Sequence, residues 1–278
     1  MDYSEIIDQM ADVGIGGLPA SDLVADGKIH RFKTAGDKKK NGWFVLFDFV
    51  GDSGDRLIAG AFGDWKLGVS EHVKVNCERM SDAECERFVR EQERARKAAQ
   101  EERRLVAEQT ADRAEKIWQG LPDEGQSPYL DRKKVRAFGL RFSRGSIVVP
   151  VRDIDGKLWG LQFIAADGSK KFLTGTAKKG RMHLIGDRDS VTVIGVAEGY
   201  ATAASVHQSC GWPVAVAFDA GNLKAVSMAL RGRHPDARIV VCGDDDLKTE
   251  GNPGRSAAEA AAAAVGGIAL FPGLPIAA

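Results

Sequence analysis

Cysteine is scarce here: the 278 residues carry four. Cys77, Cys85, Cys210 and Cys242 lie far apart and form no C-x-x-C pair. That spacing excludes a disulfide framework and a paired-thiol zinc site. His72, Cys77 and Cys85 come nearest to a metal spacing, but no fourth ligand stands beside them. They read as ordinary reduced thiols, as expected in the cytoplasm. Excess charge is also missing, since 39 basic residues balance 39 acidic ones. Nucleic acid would therefore have to be held by local basic patches, not by a global pull. The N-terminus has no apolar signal core, and no run approaches the ~20 apolar residues of a membrane span. The alanine-rich stretch 257–264 contains Glu259 and reads as a helix.

What is present is ample apolar material, 44% of the chain, and enough length for two or three folding units. Residues 1–80 read as a small α+β module. Ile6, Ile7 and Met10 have helical spacing, and strands are expected over Trp43 to Phe49 and Leu57 to Phe62. Between helix and strands lies a basic turn, Lys38-Lys39-Lys40-Asn41-Gly42. Residues 81–122 alternate charges of both signs without an internal glycine or proline until Gly120. They predict a long charged helix with Ser81 as N-cap and Glu84 at the capping-box position.

Residues 123–188 predict a basic helix over Tyr129 to Phe138, then a small sheet over Ser146–Val151, Lys157–Ile164 and Lys171–Thr174. From 189 to 278 the rhythm changes. Continuous apolar runs (Val191–Ala197, Val214–Phe218, Ile239–Cys242, Ile268–Phe271) alternate with helical stretches (Tyr200–Cys210, Leu223–Arg231, Arg255–Val265). That pattern implies an α/β fold whose parallel sheet is covered by helices on both faces.

In such a sheet, functional groups gather at the carboxyl ends of the strands. One run ends in Glu198-Gly199 and another in Gly243-Asp244-Asp245-Asp246. If those strands are neighbours, the acids share one crevice, where their mutual repulsion calls for a cation. A hard divalent ion that takes oxygen ligands and retains several waters, Mg²⁺, fits such a donor set. Asp219 follows another strand end and ranks second.

These segments resemble the Toprim domain shared by bacterial-type primases, topoisomerases and some nucleases. The motifs concerned are Ala197-Glu198-Gly199-Tyr200 and Asp244-Asp245-Asp246. The run Ala217-Phe218-Asp219-Ala220-Gly221-Asn222-Leu223 and the stretch Gly251-Asn252-Pro253-Gly254-Arg255 are more specifically similar to primases of phages and conjugative plasmids. Pro128 to Lys133, Val148 to Asp153 and Lys171 to Gly175 resemble the basic subdomain preceding Toprim in those enzymes. Asp26 to Phe32 and Gly63-Asp64-Trp65 resemble their leading region.

The resemblance implies a Toprim sheet preceded by a small basic α+β subdomain, the charged helix and the N-terminal module. It implies primer synthesis on single-stranded DNA from ribonucleoside triphosphates, with Mg²⁺ or Mn²⁺ as cofactor and a replicative helicase as a possible partner. Glu198, Asp244 and Asp246 would be the catalytic and metal-holding residues. Glu198 would act either as general base or as ligand, and Asp245 would assist. Arg132, Lys171 and Lys179 fall at positions similar to the family's basic residues that meet nucleic acid or triphosphate.

Two departures stand out. Gln162 occupies a place where replicative primases carry an arginine. No further acidic motif follows Leu270-Phe271-Pro272, so either the second metal is held differently or the chain is part of a longer primase–helicase. Two rival readings use the same residues: a Toprim nuclease, and a non-catalytic module that binds single strands or recruits a helicase.

Overall fold

The computed structural model describes residues 3–50, 56–74, 82–187, 191–243 and 253–271. The chain divides into two compact units, residues 1–100 and 101–278. In the first, helix α1 (Tyr3–Asp12) packs on an antiparallel sheet of strands β1 (His30–Phe32), β2 (Gly42–Val50), β3 (Arg56–Asp64) and β4 (Val69–His72), ordered β1-β2-β3-β4. Alternation decides which side is buried. Phe32, Phe44, Leu46, Ile58 and Phe62 turn inward against Ile6 and Met10, while Trp43 and Val45 occupy the other face of β2.

Helix α2 (Asp82–Gln119) is the expected charged helix. Ser81 and the side chain of Glu84, named for its N-cap, lie outside the described residues. Glu101 and Arg104 pair at 2.7 Å on its exposed surface. In the second unit its closing turns pack by a narrow face, Ala114 entering a core with Val148, Leu158 and Leu161. Arg113 donates to the Thr174 carbonyl at 2.7 Å, and Glu108 takes Lys157 at 2.6 Å.

That core belongs to one face of a second antiparallel sheet: β5 (Arg141–Ser143), β6 (Ser146–Arg152), β7 (Leu158–Ile164) and β8 (Lys170–Phe172). Helix α3 (Pro128–Lys133) precedes it and is shorter than expected. It stops because Lys134 adopts a left-handed conformation, φ 55°. The Val135 N–H closes on the Leu130 carbonyl at 3.2 Å, and the Lys134 N–H on the Asp131 carbonyl at 3.1 Å. This is a Schellman ending, and it sends Val135 and Leu140 into the core with Tyr129 and Leu130.

The third sheet has the order β13-β12-β10-β11-β9, from β9 (His183–Ile185), β10 (Val193–Ala197), β11 (Val214–Val216), β12 (Arg238–Cys242) and β13 (Ile268–Leu270). Strands β10 to β13 are parallel, as their apolar runs predict, and β9 adds an antiparallel edge. Helix α4 (Tyr200–Cys210) covers one face, where Tyr200, Ala203 and Ala204 share a core with the second sheet. Helices α5 (Leu223–Arg233) and α6 (Pro253–Ala264) cover the other, through Val226, Leu230, Ala258 and Ala261. Small alanine side chains let α6 approach closely. A Cβ on Gly243 would stand 2.7 Å from that of Ala258 and 2.6 Å from the Phe271 ring, so only glycine fits there. Among the described residues, no helix is long and apolar enough to cross a membrane.

Candidate active site

Strand β10 lies at the centre of its sheet, paired in parallel with β12 on one side and β11 on the other. The chain passes from β10 to β11 in one direction, then crosses back over β10 to β12. The order therefore reverses between β10 and β12, the crevice that open α/β sheets use for ligands. Register sets Ala197 opposite Cys242. Glu198 follows the first and Gly243 the second, so the two strand ends are level. The neighbour relation expected from sequence is thus present. Asp244, Asp245 and Asp246 come next in the chain but lie outside the described residues. Among the described residues no three metal-ligating side chains form a cluster.

Glu198 is half-buried in a cleft of about 400 Å³. One wall is Glu198, Gly199, Ala201 and Thr202, and the opposite wall carries Arg132, Lys133 and Lys170. Lys170 reaches across, its Nζ 3.5 Å from where a Gly199 Cβ would stand. Asp167 lies among these cations, its carboxyl held below the usual range chiefly by the Ser169 backbone N–H, with Arg132 adding to the effect. The cleft thus sets one carboxylate at a strand end against three cations, an arrangement suited to phosphate groups bridged to a cation.

The two walls are locked together beneath the cleft. Tyr200 is fully buried. Its hydroxyl donates to the Arg136 carbonyl at 2.9 Å and accepts from the Phe138 N–H at 2.7 Å. Burial drives its ionisation far above the ordinary phenol range. His183 stacks on it at 6.0 Å, and its Nε2 lies 2.8 Å from the Phe138 carbonyl, which only a protonated ring nitrogen can satisfy. Burial pushes the His183 pKa down to about 4, so near neutrality the ring is an uncharged Nε2–H tautomer.

The remaining basic positions divide by strand parity. Lys171 pairs with Phe163, whose side chain packs in the core beside α2. Lys170 and Phe172 are on the other face, where Phe172 packs against Phe218 at 5.8 Å. Lys171, named from the resemblance, therefore faces away from Glu198, and its neighbour Lys170 is the one that lines the cleft. Arg132 is in the cleft as expected, joined by Lys133. Lys179 is exposed on the loop after β8 and does not line the cleft.

That loop is fastened to the third strand end. Asn222 is buried and donates to the carbonyls of Lys178, Arg181 and Ala217 at 3.1, 2.9 and 2.9 Å. Its Oδ1 accepts from the Gly180 N–H at 2.7 Å. Asp219 forms an ion pair with Lys178 at 2.5 Å, just past Phe218 at φ 73°. Gln162 is buried on the face shared with Phe172. A separate cavity of about 380 Å³, lined by Trp118, Arg152, Met182 and Arg233, shares no residue with the Glu198 cleft.

Residues 193–272, which hold this sheet's parallel strands and its acidic strand end, match the Toprim domain family. Two curated proteins of Escherichia coli, each described as DNA primase TraC, are 38% and 37% identical over 262 residues. Both matches take in 90% of this chain, which spans 24% and 18% of the relatives' own lengths. The likeness to Toprim primases of mobile-element type, read first from the motifs, therefore holds along nearly the whole chain. Among solved structures, a DNA primase domain from Pseudomonas aeruginosa aligns with a TM-score of 0.35 at 22% identity, covering 49% of this chain and 46% of that one.

Proposed function

We propose that this chain is the catalytic region of a DNA primase, joining nucleotides into primers on single-stranded DNA. The observation that carries the reading is the level register of β10 and β12, which sets Glu198 beside the strand that continues into Asp244, opposite a wall of three cations. The resemblance along 90% of the chain to proteins described as DNA primases supports it.

In this reading Glu198, Asp244 and Asp246 hold Mg²⁺ or Mn²⁺, with Asp245 acting through water. Carboxylates that follow two neighbouring strand ends in the sequence, at a switch point of the sheet, suit such an ion. The bound ion would neutralise charge on the triphosphate and on the transferring phosphoryl group. Lys170, Arg132 and Lys133 grip triphosphate or template phosphates from the facing wall. They confer affinity that falls with salt and little sequence preference. Lys178 and Asp219 hold the loop bearing Lys179 beside the end of β11, where Lys179 would meet template phosphates. The partners are single-stranded DNA and ribonucleoside triphosphates, a replicative helicase is a further candidate, and the setting is the cytoplasm.

The test is incubation with single-stranded DNA, labelled nucleoside triphosphates and Mg²⁺ or Mn²⁺. The expected result is a ladder of short oligonucleotides that chelator abolishes. If the labelled triphosphates stay unjoined while a primase control is active, the reading is wrong. DNA degraded without triphosphates would indicate nuclease chemistry instead.

A further inference from the structure

The first unit carries a surface that the reaction above does not use. On the outer face of its sheet, Arg31 and Trp43 are direct cross-strand partners. Trp65, in the turn after β3, lies against both: its ring is 5.7 Å from that of Trp43, at 29°, and 4.3 Å from the Arg31 guanidinium. Gly63 leaves the space for this, since a Cβ there would come within 2.9 Å of the Trp43 ring. Trp65 nevertheless remains 51% exposed. About half of the indole is thus open at the surface, held against a second tryptophan and a guanidinium.

The turn that presents Trp65 is fixed from beneath. The Asp64 carboxylate is buried and accepts from the Lys66 N–H at 2.6 Å, the Leu67 N–H at 3.1 Å and the Thr34 hydroxyl at 2.9 Å. The Thr34 hydroxyl oxygen also lies 3.0 Å from the Asp37 carboxylate, and Asp37 in turn takes Asn41 at 3.0 Å and the Lys66 ammonium at 2.8 Å. The Trp65 N–H donates to the Asn41 carbonyl at 3.2 Å. One polar network therefore joins the indole turn to the basic turn Lys38-Lys39-Lys40 and holds both in place before any ligand arrives.

Charge around the stack is one-sided. The two turns and β1 supply Arg31, Lys33, Lys38, Lys39, Lys40 and Lys66 against two carboxylates, Asp37 and Asp64. Both carboxylates are already engaged within the network. Lys38, Lys39 and Lys40 are exposed and have no ion-pair partner among the described residues. A rigid aromatic platform joined through this network to a turn of exposed lysines matches a chain of alternating bases and phosphates. Duplex DNA hides its base faces, and an acidic peptide would leave the indole unused.

We infer that this face of the first unit binds single-stranded nucleic acid, one base stacking on Trp65 and the flanking phosphates held by the Lys38–Lys40 turn. The site is built only from residues of the first unit and stands whether or not the second unit makes primers. Binding is indifferent to sequence, because every base offers a face to stack.

The test uses the full chain and a dT16 oligonucleotide, by fluorescence anisotropy across a salt series and by ultraviolet crosslinking mapped by mass spectrometry. Crosslinks are expected at Trp65 or Trp43. Trp65→Ala should weaken binding about tenfold and Trp65→Phe much less, because stacking survives. Replacing Lys38, Lys39 and Lys40 together by alanine should reduce the slope of log affinity against log salt by about 2. Crosslinking at Trp65 should persist in Glu198→Gln, so loss of primer synthesis and loss of this site are separately visible. The inference is overturned if Trp65→Ala binds dT16 as tightly as the native chain and every adduct maps to residues 101–278. Equal competition by polyglutamate and poly-dT at matched charge would overturn it too, since charge alone would then explain binding.

Discussion

Single side chains decide what the Glu198 cleft can hold. Lys170 and Lys171 have the same chemistry, and one step along a strand assigns them to opposite faces. Lys170→Ala should therefore weaken single-strand or triphosphate affinity about tenfold, the scale of one lost charge-assisted phosphate contact. Lys171→Ala should change it little. Filter binding of both variants at one fixed salt concentration checks this, and equal losses would contradict the assignment. His183 predicts a pH effect. Its folded pKa, pushed down to about 4 by burial, lies below the ordinary imidazole value. Between these two values the unfolded chain binds more protons, so the stability from the neutral ring is complete above about pH 6.5 and is lost as pH falls toward 4. The full effect is up to about 3 kcal/mol. Denaturant melts from pH 7 to pH 4.5 should show it, and His183→Gln should flatten the profile.

Elements show what was legible beforehand. The runs at β10, β11 and β12 announce a parallel sheet because strands buried on both faces are apolar throughout. Their order in the sheet is a tertiary matter, but the acids at two strand ends already named the crevice. Strands β1, β5 and β9 were not legible, since three residues each carry no period and form only on the edge that a neighbouring strand offers. The end of α3 was missed for another reason: Lys134 takes a conformation usually left to glycine, overruled by the burial of Val135 and Leu140. Lys170 was missed because parity depends on which strand face meets the core, and Phe172 was the residue that could have told. At this scale Gly243→Ala tests the packing of α6 on β12. Forcing a Cβ against Ala258 and Phe271 should cost about 1–3 kcal/mol and lower the melting temperature accordingly. An unchanged melt would mean that α6 yields freely. Asn222→Ala should release the 176–181 loop, read as faster proteolysis between Lys178 and Arg181.

Across the whole molecule the balance of 39 basic and 39 acidic residues conceals a division of labour. The first unit carries its own basic turn; within the second, cations gather on α3 and β8 while Glu198 and Asp219 follow strand ends of the third sheet. Such separation lets a polyanion be held beside the acids without either charge being spread over the surface. The account depends on Glu198 and the aspartates after β12 sharing one divalent ion within that division. A crystal structure with Mn²⁺ and a nucleoside triphosphate, read by anomalous scattering, tests it directly. The account predicts a metal peak at about 2.1 Å from carboxylate oxygens of Glu198 and of Asp244 or Asp246, with the triphosphate running toward Lys170. A nucleotide bound with its metal elsewhere, or a Glu198 carboxylate turned away from a metal held by other residues, would contradict it.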